Sequence, residues 1–395
     1  MSHNPADGPD EDQILFAAPD LSDDDVEAVV RVLRSGWITT GGECRALEER
    51  LAQHLGASEV VAMSSCTAAL EAAVAHLDLP RGSRIGVPTW TFVSTALAAV
   101  HAGHVPVLLD VEPGTLNLSP DSLEAALEGP DGVDAVIGVH FGGVAFGKEV
   151  HELCTDHGVP LIEDAAHALG TSDHRGLIAG RGTAGACLSF YATKNLTSAE
   201  GGALVTDDPE LADFARSFRL HGLSRDAWAR YRPGQRSGYD VVTPGIKGNL
   251  PDVLAALALS QLDRFDEMQG RRRVLVNRYR DALASIDGIT FVPGELDPFG
   301  ADHLMALLLP EGADRDAVAD HMTTRGVSTS VHFQPLHTFE WFVANAQIGP
   351  HGVGTATRLA PRALSLPLHP GLTFDQVDRV VAALDEGLAL ALTPA

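Results

Sequence analysis

A lysine and an aspartate thirty residues apart carry the strongest chemical signal in this sequence. Lys194 lies in Ser189-Phe-Tyr-Ala-Thr-Lys194-Asn-Leu-Thr-Ser-Ala-Glu-Gly-Gly202, between two apolar runs, Ala186 to Phe190 and Ala203 to Thr206. Both runs read as short buried strands. An ammonium between buried strands loses hydration unless it is paired or made neutral. Condensation with an aldehyde as a Schiff base neutralises it and makes it a covalent catalyst. Snorkelling from a loop to water is the other solution. Upstream, Val159-Pro-Leu-Ile-Glu-Asp164 reads as a strand with a carboxylate at its C-terminal end. Such an Asp often caps a turn. Taken with Lys194 it suggests pyridoxal phosphate instead, with the lysine holding the aldehyde and the carboxylate keeping the ring nitrogen protonated, so that the ring acts as an electron sink.

The elements that must position this pair alternate between strand and helix. Ser22-Asp-Asp-Asp25 has the form of a capping box, and Gly36 ends the helix that follows. A second helix covers about Glu43 to Leu55. Strands are expected at Glu59 to Met63, Ile85 to Pro88, Val105 to Leu109, Val136 to Val139 and Leu161 to Glu163, with helices between them, including Lys148 to His157. The second of these strands leads into Thr89-Trp-Thr-Phe-Val93, which opens a helix ending at Gly103. This cadence predicts an α/β protein with a mainly parallel sheet, helices on both faces and ligands at the strands' C-terminal ends. Thr67, Phe92 and Asp164 fall at such ends. The turn Ser64-Ser-Cys-Thr67-Ala68 opens a helix whose free N–H groups suit a phosphate, although the same turn serves equally as an N-cap. Long helices are expected at Asp252 to Met268 and Arg271 to Ile286. Beyond them come strands at Leu304 to Leu309 and Val327 to Phe333, a helix at Asp316 to Arg325, and a last helix from Phe374 to Leu388.

The chain has 395 residues, 45% of them hydrophobic, enough for two cores. The expected division is an acidic disordered tail over residues 1–13, a large domain over 14–268 and a small α+β domain over 269–395. The start lacks the basic and apolar regions of a signal peptide, and no stretch has the apolar length of a membrane span. A net charge of −25 argues against a nucleic-acid partner. A basic stretch holds Arg216, Arg219, His221, Arg225, Arg230, Arg232 and Arg236, and reads mostly as solvated surface. Cys44, Cys66, Cys154 and Cys187 show no CxxC spacing, which suits a reduced cytoplasmic protein with no structural metal.

Ile162-Glu-Asp-Ala-Ala-His-Ala168 and the stretch from Ser189 to Gly202 closely resemble the DegT/StrS family of pyridoxal-phosphate-dependent sugar aminotransferases, and the resemblance runs from about Ala18 to Leu384. It implies a homodimeric fold-type-I enzyme, with Lys194 as the Schiff-base lysine and Asp164 as the partner of the ring nitrogen. It assigns Thr67, Ala68 and Ser189 to the cofactor phosphate and Phe92 to stacking on the ring, with Trp90 as a competitor for that place. His167 lies where the family has Gln or His beside the cofactor. Asn249, in Gly245-Ile-Lys-Gly-Asn249, would reach the cofactor phosphate of the neighbouring subunit, completing the site across the interface; a helix N-cap is its other reading. Trp37 and Thr39, in the loop from Gly36 to Gly41, and His332 and His337 would face the substrate. The implied reaction moves an amino group from an amino acid, glutamate, to a nucleotide-linked keto-sugar. The run from Leu220 to Tyr231 looks most like members acting at C4, while other relatives act at C3, on keto-cyclitols or on an aminobenzoate precursor. Relatives that dehydrate sugars carry His where Lys194 stands. A non-catalytic sensor would be expected to lose Lys194 or Asp164.

Overall fold

The computed structural model describes residues 12–224 and 240–392. Nearly all of the expected acidic tail, and Arg225, Arg230, Arg232 and Arg236 of the basic stretch, lie outside the described residues.

Through the first half, helices and strands alternate in the order α1 (Asp23–Ser35), α2 (Gly42–Leu55), β1 (Glu59–Met63), α3 (Cys66–His76), β2 (Arg84–Pro88) and α4 (Val93–His101). Next come β3 (Val105–Leu109), α5 (Pro120–Glu128), β4 (Ala135–Val139), α6 (Lys148–Asp156) and β5 (Leu161–Asp164). A small hairpin, β6 (Ser172–Asp173) and β7 (Gly176–Leu177), precedes β8 (Ala186–Ser189), β9 (Gly202–Thr206) and α7 (Pro209–Phe218). The remainder runs α8 (Asp252–Asp263), α9 (Phe265–Leu283), β10 (Thr290–Val292), β11 (Met305–Leu308) and α10 (Arg315–Thr324). It closes with α11 (Glu340–Asn345), β12 (Gln347–Ile348), α12 (Gly354–Leu359), β13 (Ala363–Leu366) and α13 (Phe374–Ala391).

Eight strands form one sheet in the order β1-β9-β8-β5-β4-β2-β3-β12. All neighbours are parallel except β9, which runs antiparallel to both β1 and β8. Successive side chains of a strand point to opposite faces, so each strand feeds two cores. On β1, Val61 and Met63 enter a core with α3, α4 and α7, while Val60 and Ala62 enter another with α2 and α8. The expected α/β fold is therefore found, with helices on both faces.

A three-stranded antiparallel sheet, β10-β11-β13, packs its own core against α9, α10 and α13. A further cluster around Trp90, Phe141, Leu304 and Leu308 joins the two sheets. The short strand β12 comes from the C-terminal half of the chain and adds to the edge of the large sheet.

Four sequence expectations need correction. The helix expected from Thr89 begins at Val93, with Phe92 at its N-cap position. The helices expected at Asp252 to Met268 and Arg271 to Ile286 break instead at Arg264, where φ is −108° and ψ is 5°. The cause is tertiary: Arg264 reaches Asp25 at 3.1 Å and the Asp20 carbonyl at 2.9 Å. The second helix then runs on through Gly270 and spans the expected boundary at 268/269. Finally, no strand forms at Val327 to Phe333, which makes only isolated bridges, Ile14 with Val327 and Ser330 with Ser365.

The fourth concerns Asn249, which caps no helix, because Pro251 holds the N-cap position of α8. Its side-chain N–H donates to Thr40 Oγ1 at 2.6 Å, and its Oδ1 accepts from Lys247. Asp252 instead serves a different helix. Its carboxylate accepts the N–H groups of Gly41, Glu43 and Cys44 at 2.7, 3.2 and 3.0 Å, satisfying the N-terminus of α2. The loop from Gly36 to Gly41 is thereby tied to the start of α8.

Candidate active site

The C-terminal ends of β1, β2, β5 and β8 converge on one cavity of about 470 Å³, closed on its other side by Phe16, His303, His332 and Phe333. Each strand end delivers a different kind of group.

Asp164 ends β5 and is almost fully buried. Thr95 Oγ1 donates to its Oδ2 at 2.8 Å, and Thr95 in turn shares a hydrogen bond with Thr91 at 2.7 Å. The Ala166 N–H donates to Oδ1 at 3.2 Å, and the Cys66 thiol approaches the same oxygen at 3.7 Å. Burial pushes the carboxyl upward from its ordinary value, partly offset by Thr95, Ala166 and the positive charge of Lys194. Asp164 forms no salt bridge among the described residues, so hydrogen bonds and the nearby Lys194 ammonium compensate its charge.

Lys194 lies in the turn after β8. The Lys194 N–H donates to Tyr191 O at 2.9 Å, and Ser198 and Gly201 pair with Phe190 across the loop. Burial lowers its ammonium to about 8, against the opposing pull of Cys66 and Asp164. A far larger fraction of the amine than in an exposed lysine is therefore a free nucleophile near neutral pH.

Helix α3 points its N-terminus at the same cavity. Ser65 caps it by accepting from Ala68 N at 3.1 Å, which leaves the first two N–H groups, those of Cys66 and Thr67, without intrahelical partners. Gly202 explains how β9 can pass so close. A Cβ there would lie 2.4 Å from Cys66 N and 2.5 Å from Leu188 O. Only glycine leaves room for the helix end and the strand to meet.

Of the residues singled out in the sequence, Thr67, Phe92, Asp164, His167, Ser189, Lys194 and His332 all line this cavity. Ala68, Trp37, Thr39, Asn249 and His337 are not among its lining residues. Trp37 donates its indole N–H to Thr40 O at 3.3 Å, and Thr39 is exposed. His337 is held by Thr89 at 2.8 Å and Thr357 at 3.0 Å. Trp90 cannot compete with Phe92. It is fully buried, its indole donating to His332 O at 3.1 Å, whereas Phe92 is 56% exposed and faces the cavity.

Sequence reasoning missed Thr95, Cys66, His303 and Phe333. His303 comes from the loop before β11 and carries no motif; only the fold brings it to His167, with ring centroids 4.3 Å apart. Its Nδ1 lies 2.8 Å from Asn195 Oδ1, whose amide nitrogen already donates to Gln269 and Ala301, so Nδ1 carries the proton. His167 has the opposite tautomer, since its Nδ1 accepts from Gly142 N at 3.2 Å. Burial keeps His167 and His303 well below the ordinary imidazole value and lowers His332 to about 4, with Lys194 adding to each shift. All three rings are neutral at pH 7. They offer directed hydrogen bonds to a polar substrate without repelling a cationic centre.

These groups fit pyridoxal phosphate. The helix N-terminus with Thr67 and Ser189 suits a phosphate, Phe92 and His167 offer flat faces to a ring, and the buried Asp164, which has no salt bridge among the described residues, suits a protonated ring nitrogen. Lys194 suits the aldehyde.

The comparisons with known proteins agree. The family model of the DegT/DnrJ/EryC1/StrS aminotransferase family matches residues 19–385. Spr1654 from Streptococcus pneumoniae in its PMP form has 27% identity and a TM-score of 0.88, over 96% of this chain and 100% of that one. The aminotransferase TlmJ from Streptoalloteichus hindustanus has 31% identity and a TM-score of 0.86, over 96% and 100%. DesI, solved in the presence of its TDP-sugar product, has 31% identity and a TM-score of 0.82, over 95% and 93%. A match across nearly the whole chain, on a fold that gathers a lysine, a buried aspartate and a helix N-terminus into one cavity, shows that this protein belongs to the DegT/DnrJ/EryC1/StrS family and is a pyridoxal-phosphate-dependent sugar aminotransferase.

Proposed function

We propose that the enzyme transfers an amino group from glutamate to a nucleotide-linked keto-sugar at C4, in amino-sugar biosynthesis, as a cytoplasmic homodimer. The observation that carries the reading is the single cavity that holds Lys194, Asp164 and three neutral imidazoles together. Likeness to DesI, solved with a TDP-sugar, supports the nucleotide-linked substrate. The run from Leu220 to Tyr231 supports C4, although residues 225–231 lie outside the described residues. Four free, buried cysteines suit a reducing compartment. No helix among the described residues is long and apolar enough to cross a membrane.

When bound, pyridoxal phosphate supplies an aldehyde that accepts the amino group and a ring that takes up the electrons of a broken C–H bond. The chain does the rest. Asp164, oriented by Thr95 and Ala166, would hold the proton on the ring nitrogen. Lys194 Nζ, free as a neutral amine once the donor amine is bound, would take the proton from the donor's α-carbon, and in the second half of the reaction would return a proton to the sugar carbon that receives the amino group. Thr67, Ser189 and the end of α3 would hold the phosphate, and Phe92 would face the ring. His167, His303 and His332 orient the sugar half. A panel of 4-keto and 3-keto nucleotide sugars and aminocyclitol precursors, each incubated with glutamate and read by product mass, should show amination of a 4-keto nucleotide sugar. Amination of only a cyclitol or a 3-keto sugar would displace this substrate assignment.

Asn249 acts on the partner subunit's cofactor phosphate in this reading. It is outside the cavity of its own chain, and exposed Ile38, Val241 and Val242 lie close to it in sequence or through Thr40, as an interface requires. Asn249→Ala should weaken cofactor affinity more than it lowers the melting temperature of the apo form. Mixing inactive Lys194→Ala subunits with Asn249→Ala subunits should restore activity, because one site of each heterodimer then has both residues. Mixed dimers verified by mass that show no recovery would place Asn249 outside the neighbouring site.

A further inference from the structure

Behind the strand that carries Asp164 lies a second cluster of titratable groups that the aminotransferase chemistry does not use. Its centre is Glu163. Adjacent residues of a strand face opposite sides, so Glu163 points away from the active site. It is fully buried. Its Oε1 lies 2.5 Å from Arg175 Nη2, 3.2 Å from His151 Nε2 and 3.6 Å from His140 Nε2, and Thr183 donates to Oε2 at 3.3 Å. The guanidinium of Arg175 pairs with it as an ionised carboxylate.

An ionised carboxylate only accepts hydrogen bonds, so His151 must carry its proton on Nε2. That leaves a lone pair on Nδ1. His151 is 8% exposed, and its Nδ1 is buried with no hydrogen-bond partner. A buried acceptor without a donor is costly. Two more metal-ligand types stand beside the His151 ring. Asp173 and His174, on the β6–β7 hairpin, each bring a ligand atom within 4.8 Å of the others and of one from His151. The His151 and His174 rings are 5.3 Å apart. Asp173 is engaged by Arg175, which donates its backbone N–H to Oδ1 at 2.7 Å and its Nε and Nη2 to Oδ2 at 2.9 and 2.6 Å. Oδ1 accepts only one of these bonds and retains a lone pair.

We propose that His151, Asp173 and His174 form a binding site for one divalent transition-metal ion of the zinc class, with His151 ligating through Nδ1 and Glu163 orienting it from behind. Two imidazoles and a carboxylate suit zinc, with a fourth position left for water. Magnesium and calcium prefer all-oxygen sites. A carboxylate that accepts the far N–H of a ligating histidine is the usual support for such a site, fixing both the tautomer and the ring orientation. The scattered cysteines gave no sign of it, because no cysteine takes part. The ion's role is structural: it pins the hairpin to α6 and, through Glu163, to the strand that positions Asp164.

The test uses the cofactor-loaded enzyme with any affinity tag removed, stripped with EDTA and dialysed against micromolar zinc chloride. Metal content is measured by mass spectrometry and stability by melting temperature. The wild type should retain one zinc per chain and melt higher with zinc than without. His174→Ala changes an exposed side chain and so preserves the fold; it should weaken zinc binding tenfold or more and abolish the melting shift. The histidines of the active-site cavity are intact in that variant, so zinc held there would be unaffected. No retained zinc, unchanged binding in His174→Ala, or an equal melting shift with magnesium or calcium would each overturn the proposal.

Discussion

Lys194→Ala should fold normally and lose turnover by roughly 10³-fold or more, about 4 kcal/mol of barrier. Loss of that size is expected because one side chain performs two tasks, holding the aldehyde and moving the proton. The fold should survive because Lys194 makes no side-chain ion pair among the described residues. Its burial costs stability instead. The unfolded chain binds the lysine proton up to the ordinary value of 10.5, while the folded chain releases it at about 8. Between those limits the unfolded state holds more protons, so stability owed to this residue rises with pH across that window. The variant should therefore melt no lower than the wild-type apoenzyme at neutral pH. The same shift predicts that the rate at which wild-type apoenzyme captures free pyridoxal phosphate climbs with pH and levels above about pH 8. Stopped-flow absorbance measures this, and a rate still climbing toward pH 10 would mark an ordinary surface lysine as the nucleophile.

Asp164→Asn should retain normal circular dichroism and lose roughly 10²- to 10⁴-fold in kcat. The neighbours explain why the fold tolerates the change. Thr95 and Thr91 share a hydrogen bond in which either hydroxyl can donate, so Thr95 can turn to accept from the new amide while Ala166 N keeps its oxygen. The loss is electronic, because an amide cannot hold a proton on the ring nitrogen. A second readout separates this from mere damage. The buried carboxylate of the apo form has no salt-bridge partner among the described residues, so cofactor binding should raise the wild-type melting temperature more than that of Asp164→Asn. Near-normal kcat in the variant would reduce Asp164 to a turn residue.

How much of this was legible in the sequence depended on the range of the interactions. Strands of the large sheet are short apolar runs closed by turn residues, and β1 and β3 lie where their patterns predict. Lys194, Asp164 and Thr67 were legible because each follows such a run. The break at Arg264 was not, because its cause is Asp25, far away in the chain. Nor was the pairing of β12 with β3, two residues of backbone with no periodicity to read. His303 was hidden for a similar reason: its place beside His167 depends on how the small sheet packs against the large one. Asp252 reads as the first residue of its own helix, and only the fold shows that it serves α2.

The most direct test of the account is to reduce the yellow holoenzyme with borohydride, digest it and locate the cofactor label by mass spectrometry. The label should fall on one peptide, at Lys194. A label on Lys148 or Lys247, or no covalent label at all, would contradict it.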